Sequence, residues 1–106
     1  MGTPTTKTIS SGGAITVTRS YHKLDTYGGY EEDTLTKING GENGMILVLG
    51  TSSALRDVTL RERTTANQGN IYLSGTSFTL DSGADKIVLM KAGTYWIELS
   101  RSNNIG

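Results

Sequence analysis

The order of apolar and polar residues along the chain predicts a series of short β-strands. Residues 14–18 read AITVT and residues 57–60 read DVTL, so that apolar side chains occupy every second position. This period of two is typical of a strand with one face toward a core and the other toward solvent. The short segments NIYL and FTL repeat the same spacing further along the chain.

Two other segments are apolar without interruption. Residues 45–49 read MILVL, and residues 86–91 read KIVLMK with a lysine at each end. A continuous apolar run of strand length indicates burial on both faces. We therefore expect these two strands to be buried on both faces.

Turn-forming residues separate the apolar segments. The chain has 14 Gly and one Pro, and Asn, Asp and Ser are frequent between the runs, where they favour turns. Short strands with a turn about every ten residues predict an all-β fold, either an antiparallel β-sandwich or a jelly-roll-like barrel. Residues 33–41 remain open between a short helical turn and a strand, because Leu35 and Ile38 are three positions apart.

The first 13 residues, MGTPTTKTISSGG, offer little to bury. They predict an extended N-terminal arm, followed by a single β domain over residues 14–104. We expect a neighbouring subunit to hold the arm, and deletion of residues 1–11 to leave the fold intact. The segment that follows the β domain is short, and we interpret the chain as a complete small gene product.

Composition narrows the classes of function. Ten basic and ten acidic residues give a formal net charge of zero, which argues against a nucleic-acid partner and permits self-association. A chain of 106 residues with 35% hydrophobic content has a modest core, so assembly would bury surface that one chain leaves exposed. Without cysteine, disulfides and thiolate metal sites are excluded. No apolar run reaches the length of a membrane span, and we expect neither a membrane partner nor a cofactor.

Few residues suggest chemistry. His22 is the only histidine, and no nucleophile elbow surrounds it, so we interpret it as a surface or interface residue. The acidic residues between Asp25 and Asp33 are the best metal candidate, although their spacing is not that of an EF-hand and a solvated loop explains them better. We predict no catalytic and no metal site, and leave open whether the Glu31–Asp33 loop binds a metal.

The last predicted strand, YWIELS, carries the only tryptophan. Alternation places Tyr95, Ile97 and Leu99 on one face, and we expect this face to meet the core. Trp96 and Glu98 would then point outward together. A large ring on a surface needs a cover, and a neighbouring subunit or a loop is favoured over a glycan.

Three segments in order resemble a known family. KINGGENGMILVLGTSSALRDVTL, GNIYLSGTSFTLD and ADKIVLMKAGTYWIELSRSNN, within residues 9–104, are similar to small β-rich domains of tailed-bacteriophage virion proteins. Such domains occur inside tail-fibre, spike and neck proteins and as short stand-alone structural proteins. The turn KAGTY at residues 91–95 departs from the acidic turn that is usual in the family.

The resemblance implies a non-enzymatic virion protein that is oligomeric and often trimeric, assembled in the host cytoplasm. A stand-alone domain with an arm favours a capsid decoration protein whose partners are its own copies, the major capsid protein and other virion proteins. The residues expected at these interfaces are Thr3, Pro4, Thr5, Lys7, Ile9, Trp96 and Glu98. The alternative is a tail-fibre, spike or neck domain that binds host glycans by stacking on Tyr27, Tyr30 and Trp96, with Tyr95 beside them.

Overall fold

The computed structural model describes residues 5–51, 56–63, 69–75 and 77–102, and this part of the chain confirms the all-β class. Thr3 and Pro4, two of the predicted interface residues, lie outside the described residues. A short 3₁₀ turn at Tyr27–Gly29 interrupts the strands. The strands are β1 (Thr5–Thr8), β2 (Ala14–Val17), β3 (Tyr21–Asp25), β4 (Glu32–Leu35), β5 (Lys37–Gly40), β6 (Ile46–Thr51), β7 (Asp57–Leu60), β8 (Ile71–Tyr72), β9 (Phe78–Leu80), β10 (Lys86–Ala92) and β11 (Tyr95–Ser102).

These strands form three sheets. The largest has six strands in the order β1-β3-β6-β10-β11-β8, the second pairs β2 with β5, and the third has the order β4-β7-β9. Residues 33–41, left open by the sequence pattern, contribute strand rather than helix to β4 and β5.

The prediction of antiparallel pairing is wrong for most of the described strand pairs. The pairs β1-β3, β3-β6, β2-β5, β4-β7 and β8-β11 are parallel, whereas β6-β10, β10-β11 and β7-β9 are antiparallel. From β1 to β8 the chain winds through the sheets as a coil and returns to each sheet in the same direction, so that Glu32 of β4 lies opposite Asp57 of β7. The strands β9 and β10 run in the opposite direction. Glycine-rich turns occur both in hairpins and at the corners of a coil, and the sequence pattern does not distinguish the two.

One apolar cluster fills the space between the sheets. The alternating segments behave as predicted, because Ile15, Val17, Val58 and Leu60 are buried while Thr16 is exposed. The buried apolar side chains of the described residues are Ile9, Ile15, Val17, Leu24, Leu35, Ile38, Leu47, Leu49, Val58, Leu60, Ile71, Leu73, Phe78, Leu80, Ile87, Leu89 and Trp96.

The two continuous apolar strands, β6 and β10, are buried on one face only. Leu47 and Leu49 of β6 are fully buried, whereas Ile46 is 40% exposed. In β10 the inward side chains belong to Ile87 and Leu89, and the alternate residues Lys86, Val88 and Met90 are half-buried. The prediction of burial on both faces is therefore wrong, and the six-stranded sheet carries apolar side chains on its outer face.

The N-terminal arm is a strand of the main sheet. Thr5–Thr8 pairs with β3 in parallel register, Thr5 opposite His22 and Lys7 opposite Leu24. Ile9 continues the pairing through a 2.9 Å hydrogen bond from its amide to the Asp25 carbonyl, and its side chain is completely buried. Ile9 is thus a core residue of its own chain, where an interface residue was predicted.

Candidate functional site

The face of β11 that meets the core is the opposite of the predicted one. Trp96 is completely buried and Glu98 is 8% exposed, whereas Ile97 and Leu99 are 39% and 51% exposed. Alternation divides a strand into two faces but does not determine which one is inward. Trp96 and Glu98 therefore present no substantial surface to a subunit, and the Trp96 ring is closed to a glycan.

A glycine makes room for the tryptophan. Gly41 has a φ of +79°, and a Cβ atom at this position would lie 2.9 Å from Cζ2 of Trp96. The Lys91 ammonium lies 6.0 Å from the centre of the indole ring and donates hydrogen bonds to the carbonyls of Gly40 and Gly41. Residues of the same chain therefore cover the Trp96 ring.

Glu98 is a structural carboxylate. Its oxygens accept hydrogen bonds from Nε and Nη2 of Arg101, at 2.7 and 2.8 Å, and from the Ser74 amide at 2.8 Å. The Arg101 contact is the main cause that lowers the pKa of Glu98, against the opposing effect of burial. A carboxylate with a lowered pKa and three donors ties the segment after β8 to β11, and it is a poor general acid.

His22 is buried and belongs to the fold, so its interpretation as a surface or interface residue is wrong. Its Nε2 accepts hydrogen bonds from the amides of Thr18 and Arg19, at 3.0 and 3.1 Å. The neutral ring therefore carries its proton on Nδ1, which donates to Oγ1 of Thr5 at 2.8 Å. Burial lowers the pKa of His22 below its ordinary value. The hydrogen bonds of the ring connect β1 to the turn before β3.

Two of the four acidic residues between Asp25 and Asp33 make structural contacts. Asp25 forms an ion pair with Arg56 at 2.9 Å, and this contact lowers the pKa of Asp25. Asp33 accepts hydrogen bonds from the amides of Tyr27 and Thr34. The described residues contain no cluster of three or more His, Asp or Glu side chains placed to hold a metal ion.

Tyr27 and Tyr30 lie on the surface beside this segment. Their side chains are 45% and 63% exposed, and their ring centres are 6.3 Å apart with planes tilted by 48°. Of the three residues predicted to stack on glycans, these two are accessible and Trp96 is not.

The outer face of the six-stranded sheet presents a row of apolar side chains. Met90 of β10 lies opposite Ile46 of β6 on one side and Ile97 of β11 on the other. Val88 lies opposite Val48 in the next row. Leu99 emerges beside them, where the register between β10 and β11 shifts after Val88. This outer apolar face was missed because β6 and β10 were expected to be buried on both sides and β11 was assigned the reverse orientation.

A groove of about 410 Å³ lies where β5, the residues before β8 and the β10–β11 turn meet. It is lined by Lys37, Ile38, Asn39, Gly40, Arg63, Gly69, Asn70, Lys91, Thr94 and Tyr95. Sequence reasoning did not identify this cationic groove, because its three basic residues are far apart in the chain and carry no local motif. A second, acidic groove of about 390 Å³ is lined by Glu32, Asp33, Thr34, Asp57, Thr59 and Thr79.

Comparison with protein-family models, with curated proteins and with solved structures gives no match for this chain. In the described residues no helix is long and apolar enough to cross a membrane.

Proposed function

We propose that this protein is a non-enzymatic structural protein of the tailed-bacteriophage virion, and that it decorates the capsid as a homotrimer in contact with the major capsid protein. The three sequence segments that resemble virion domains support the class. The outer apolar face is the single structural observation that favours a protein–protein role. A contiguous exposed apolar surface on a small domain marks an interaction site more often than an accident of composition.

The energetics favour repeated contacts over a single one. Apolar burial contributes about 25 cal/mol per Å², whereas association costs about 4–15 kcal/mol in lost freedom of motion. A face built on Ile46, Met90, Ile97 and Leu99 binds weakly in one copy. Joined in a trimer, such faces add their contributions, and the zero net charge of the chain leaves little repulsion between copies.

The non-enzymatic part of the proposal is supported by how the reactive side chains are used. The imidazole of His22 makes three hydrogen bonds inside the fold, and the carboxylate of Glu98 is held by Arg101 and Ser74. Neither residue lines the cationic groove or the acidic groove. Both residues stabilise the folded structure.

Substitution of Ile97 by Lys tests the role of the outer apolar face. Ile97→Lys places a charge at one end of the row formed by Ile46, Met90 and Ile97, and we expect it to reduce self-association and binding to expanded, DNA-free capsids by at least tenfold, about 1.4 kcal/mol. Sedimentation equilibrium and co-sedimentation with capsids measure the two effects. Thr16→Lys, at an exposed position of β2, is the matched control and should leave both unchanged. A wild-type protein that stays monomeric and does not bind capsids would refute the proposal.

The second candidate function is binding of host glycans by a tail-fibre, spike or neck domain. The exposure of Tyr27 and Tyr30 favours it, because exposed tyrosine pairs can stack on sugar rings. Tyr30→Ala is expected to abolish adsorption to host cells and leave assembly intact if this function holds. Under the decoration proposal the same variant keeps its capsid binding and has no adsorption phenotype.

A further inference from the structure

The cationic groove brings together three basic side chains from distant parts of the chain. Lys37 comes from β5, Arg63 follows β7, and Lys91 lies near the end of β10. Like charges gathered around one concave surface repel each other unless an anion or nearby acid compensates. The groove is therefore locally positive, although the whole chain has a net charge of zero.

No described carboxylate compensates these charges. The lining contains neither Asp nor Glu, and none of the three cations forms an ion pair with an acidic residue of the described chain. Glu62, next to Arg63 in sequence, has its carboxylate oxygens 3.1 and 3.2 Å from the Leu73 amide, which donates to them. Residues 64–68, which lie outside the described part, read TTANQ and contain no acid.

Rigid neighbours hold the groove in shape. The Asn70 side chain accepts a hydrogen bond from the Ile38 amide at 2.9 Å and donates to the carbonyls of Ile38 and Thr94 at 2.8 and 3.1 Å. This one amide joins β5 to the β10–β11 turn across the floor of the groove. The Asn70 backbone extends the same link, with its carbonyl accepting from the Trp96 amide at 2.8 Å.

Arg63 is held in place by aromatic rings. Its guanidinium lies 5.2 Å from the centre of the Tyr95 ring and 5.8 Å from that of Tyr72, and Nη1 donates to the Tyr72 hydroxyl at 3.1 Å. A guanidinium has five N–H donors in a planar fork, so most of them stay available to an anion. Stacking on two rings reduces the entropy that Arg63 loses when it binds such a group.

We propose that the groove binds an anionic saccharide, with the carboxylate or sulfate of one sugar unit between Lys37 and Arg63 and its hydroxyls on the rim formed by Asn39 and Thr94. The volume of about 410 Å³ suits one or two sugar units and falls in the range of small-ligand sites. A nucleic acid fits less well, because it needs a basic track along several phosphates and the whole chain has no net positive charge. This site is independent of the outer apolar face and goes beyond the proposed function.

Calorimetric titration of the full-length protein tests the site with four probes. A digalacturonate carries carboxylates, a heparin-derived disaccharide carries sulfates, lactose is neutral, and inorganic phosphate reports binding of an ion without a sugar. We expect at least one of the two anionic sugars to bind at least tenfold more tightly than lactose and phosphate, and the stronger of them identifies the anion. Raising NaCl from about 0.05 to about 0.5 M should weaken this binding, because screening acts on exposed charge pairs.

Two variants and a matched control assign the binding to the groove. Lys37→Gln removes an exposed charge, and Thr94→Asp adds an opposing charge at the exposed rim; each should weaken binding of the anionic sugar at least fivefold. Lys23→Gln removes an exposed lysine of β3 outside the groove lining and should leave it unchanged.

The same titrations contain the results that would overturn the site. The site is refuted if lactose or phosphate binds as tightly as the stronger anionic sugar, or if a short oligothymidylate binds more tightly than both sugars. It is also refuted if neither anionic sugar binds at about 1 mM, or if Lys23→Gln loses as much binding as the groove variants. None of these results bears on capsid association, which the Ile97→Lys variant measures separately.

Discussion

At the scale of single residues, Gly41 and Trp96 depend on each other. The glycine adopts a left-handed φ of +79°, and its missing side chain leaves space for the indole ring, with Met45 Sδ only 3.1 Å from where a Cβ would be. A second left-handed glycine three residues later, Gly44 at φ +86°, has nothing within 4 Å of its Cβ position. The two positions separate the cost of backbone strain from the cost of a steric clash.

We predict that Gly41→Ala destabilises the protein more than Gly44→Ala does. The Gly44 change carries the backbone cost alone, about 1–2 kcal/mol, and the Gly41 change adds overpacking against Trp96 of about 1–3 kcal/mol. Urea unfolding monitored by tryptophan fluorescence measures both. Equal losses of stability would mean that the indole ring shifts freely, contrary to its position in the core.

His22 predicts a specific response to pH. Since burial lowers the pKa of His22 below 6.5, the unfolded chain binds a proton in a pH range where the folded chain does not. This contribution to stability is complete above about pH 6.5 and is lost as the pH falls toward the lower folded pKa. Protonation of Nε2 would also break its two hydrogen bonds from the Thr18 and Arg19 amides.

The free energy of unfolding should therefore decrease as the pH falls below about 6.5, and His22→Gln should remove most of this slope while lowering stability at the higher pH. Asp25 and Glu98, whose pKa values are lowered by Arg56 and Arg101, contribute their own loss only at more acidic pH. Chemical denaturation at several pH values provides the measurement. An unchanged slope in His22→Gln would show that His22 does not cause it.

At the scale of elements, β1 changes the expectation for the N-terminus. The sequence has a polar arm here, yet Thr5–Thr8 adds a parallel edge strand to β3, and Ile9 enters the core. Thr5 also contacts the His22 ring. Lys7 is half-buried opposite Leu24, so the predicted interface residues of the arm that the structure describes serve intramolecular packing first.

Deletion of residues 1–9 should destabilise the fold by at least about 2–5 kcal/mol, the range for loss of one large buried aliphatic side chain. This expectation replaces the prediction that removal of residues 1–11 leaves the fold intact. Deletion of residues 1–4 is the control, because it removes none of the described contacts. Thermal unfolding followed by circular dichroism compares the two truncations, and equal melting temperatures would contradict the role of β1.

For β6, β10 and β11, the sequence predicts the strands but not their orientation. Their existence and extent follow from apolar runs and period-two alternation. Their orientation does not, because residues 95–99 present Trp on one face and Tyr, Ile and Leu on the other, and both faces are apolar enough to be buried. The shift of register between β10 and β11 after Val88 is a tertiary feature that no local pattern encodes.

At the scale of the whole molecule, the coil separates two surfaces with different chemistry. The outer apolar face lies on the six-stranded sheet, and the cationic groove lies at the junction of β5 with the β10–β11 turn. Each surface combines residues from at least three strands or turns. Under the two proposals, the outer apolar face attaches the protein to a virion and the cationic groove binds an anionic saccharide.

The sequence alone determined the all-β class, the positions of most strands, the inward residues of the alternating segments and the exclusion of cysteine chemistry, because propensity, periodicity and composition are local properties of the chain. Tertiary structure decided the parallel direction of most described pairs, the inward face of β11, the incorporation of β1 and the meeting of Lys37, Arg63 and Lys91 in one groove. These features depend on which segments lie opposite each other after the chain has turned through the coil. That path is set by the packing of all the sheets together, and a short window of sequence does not contain it.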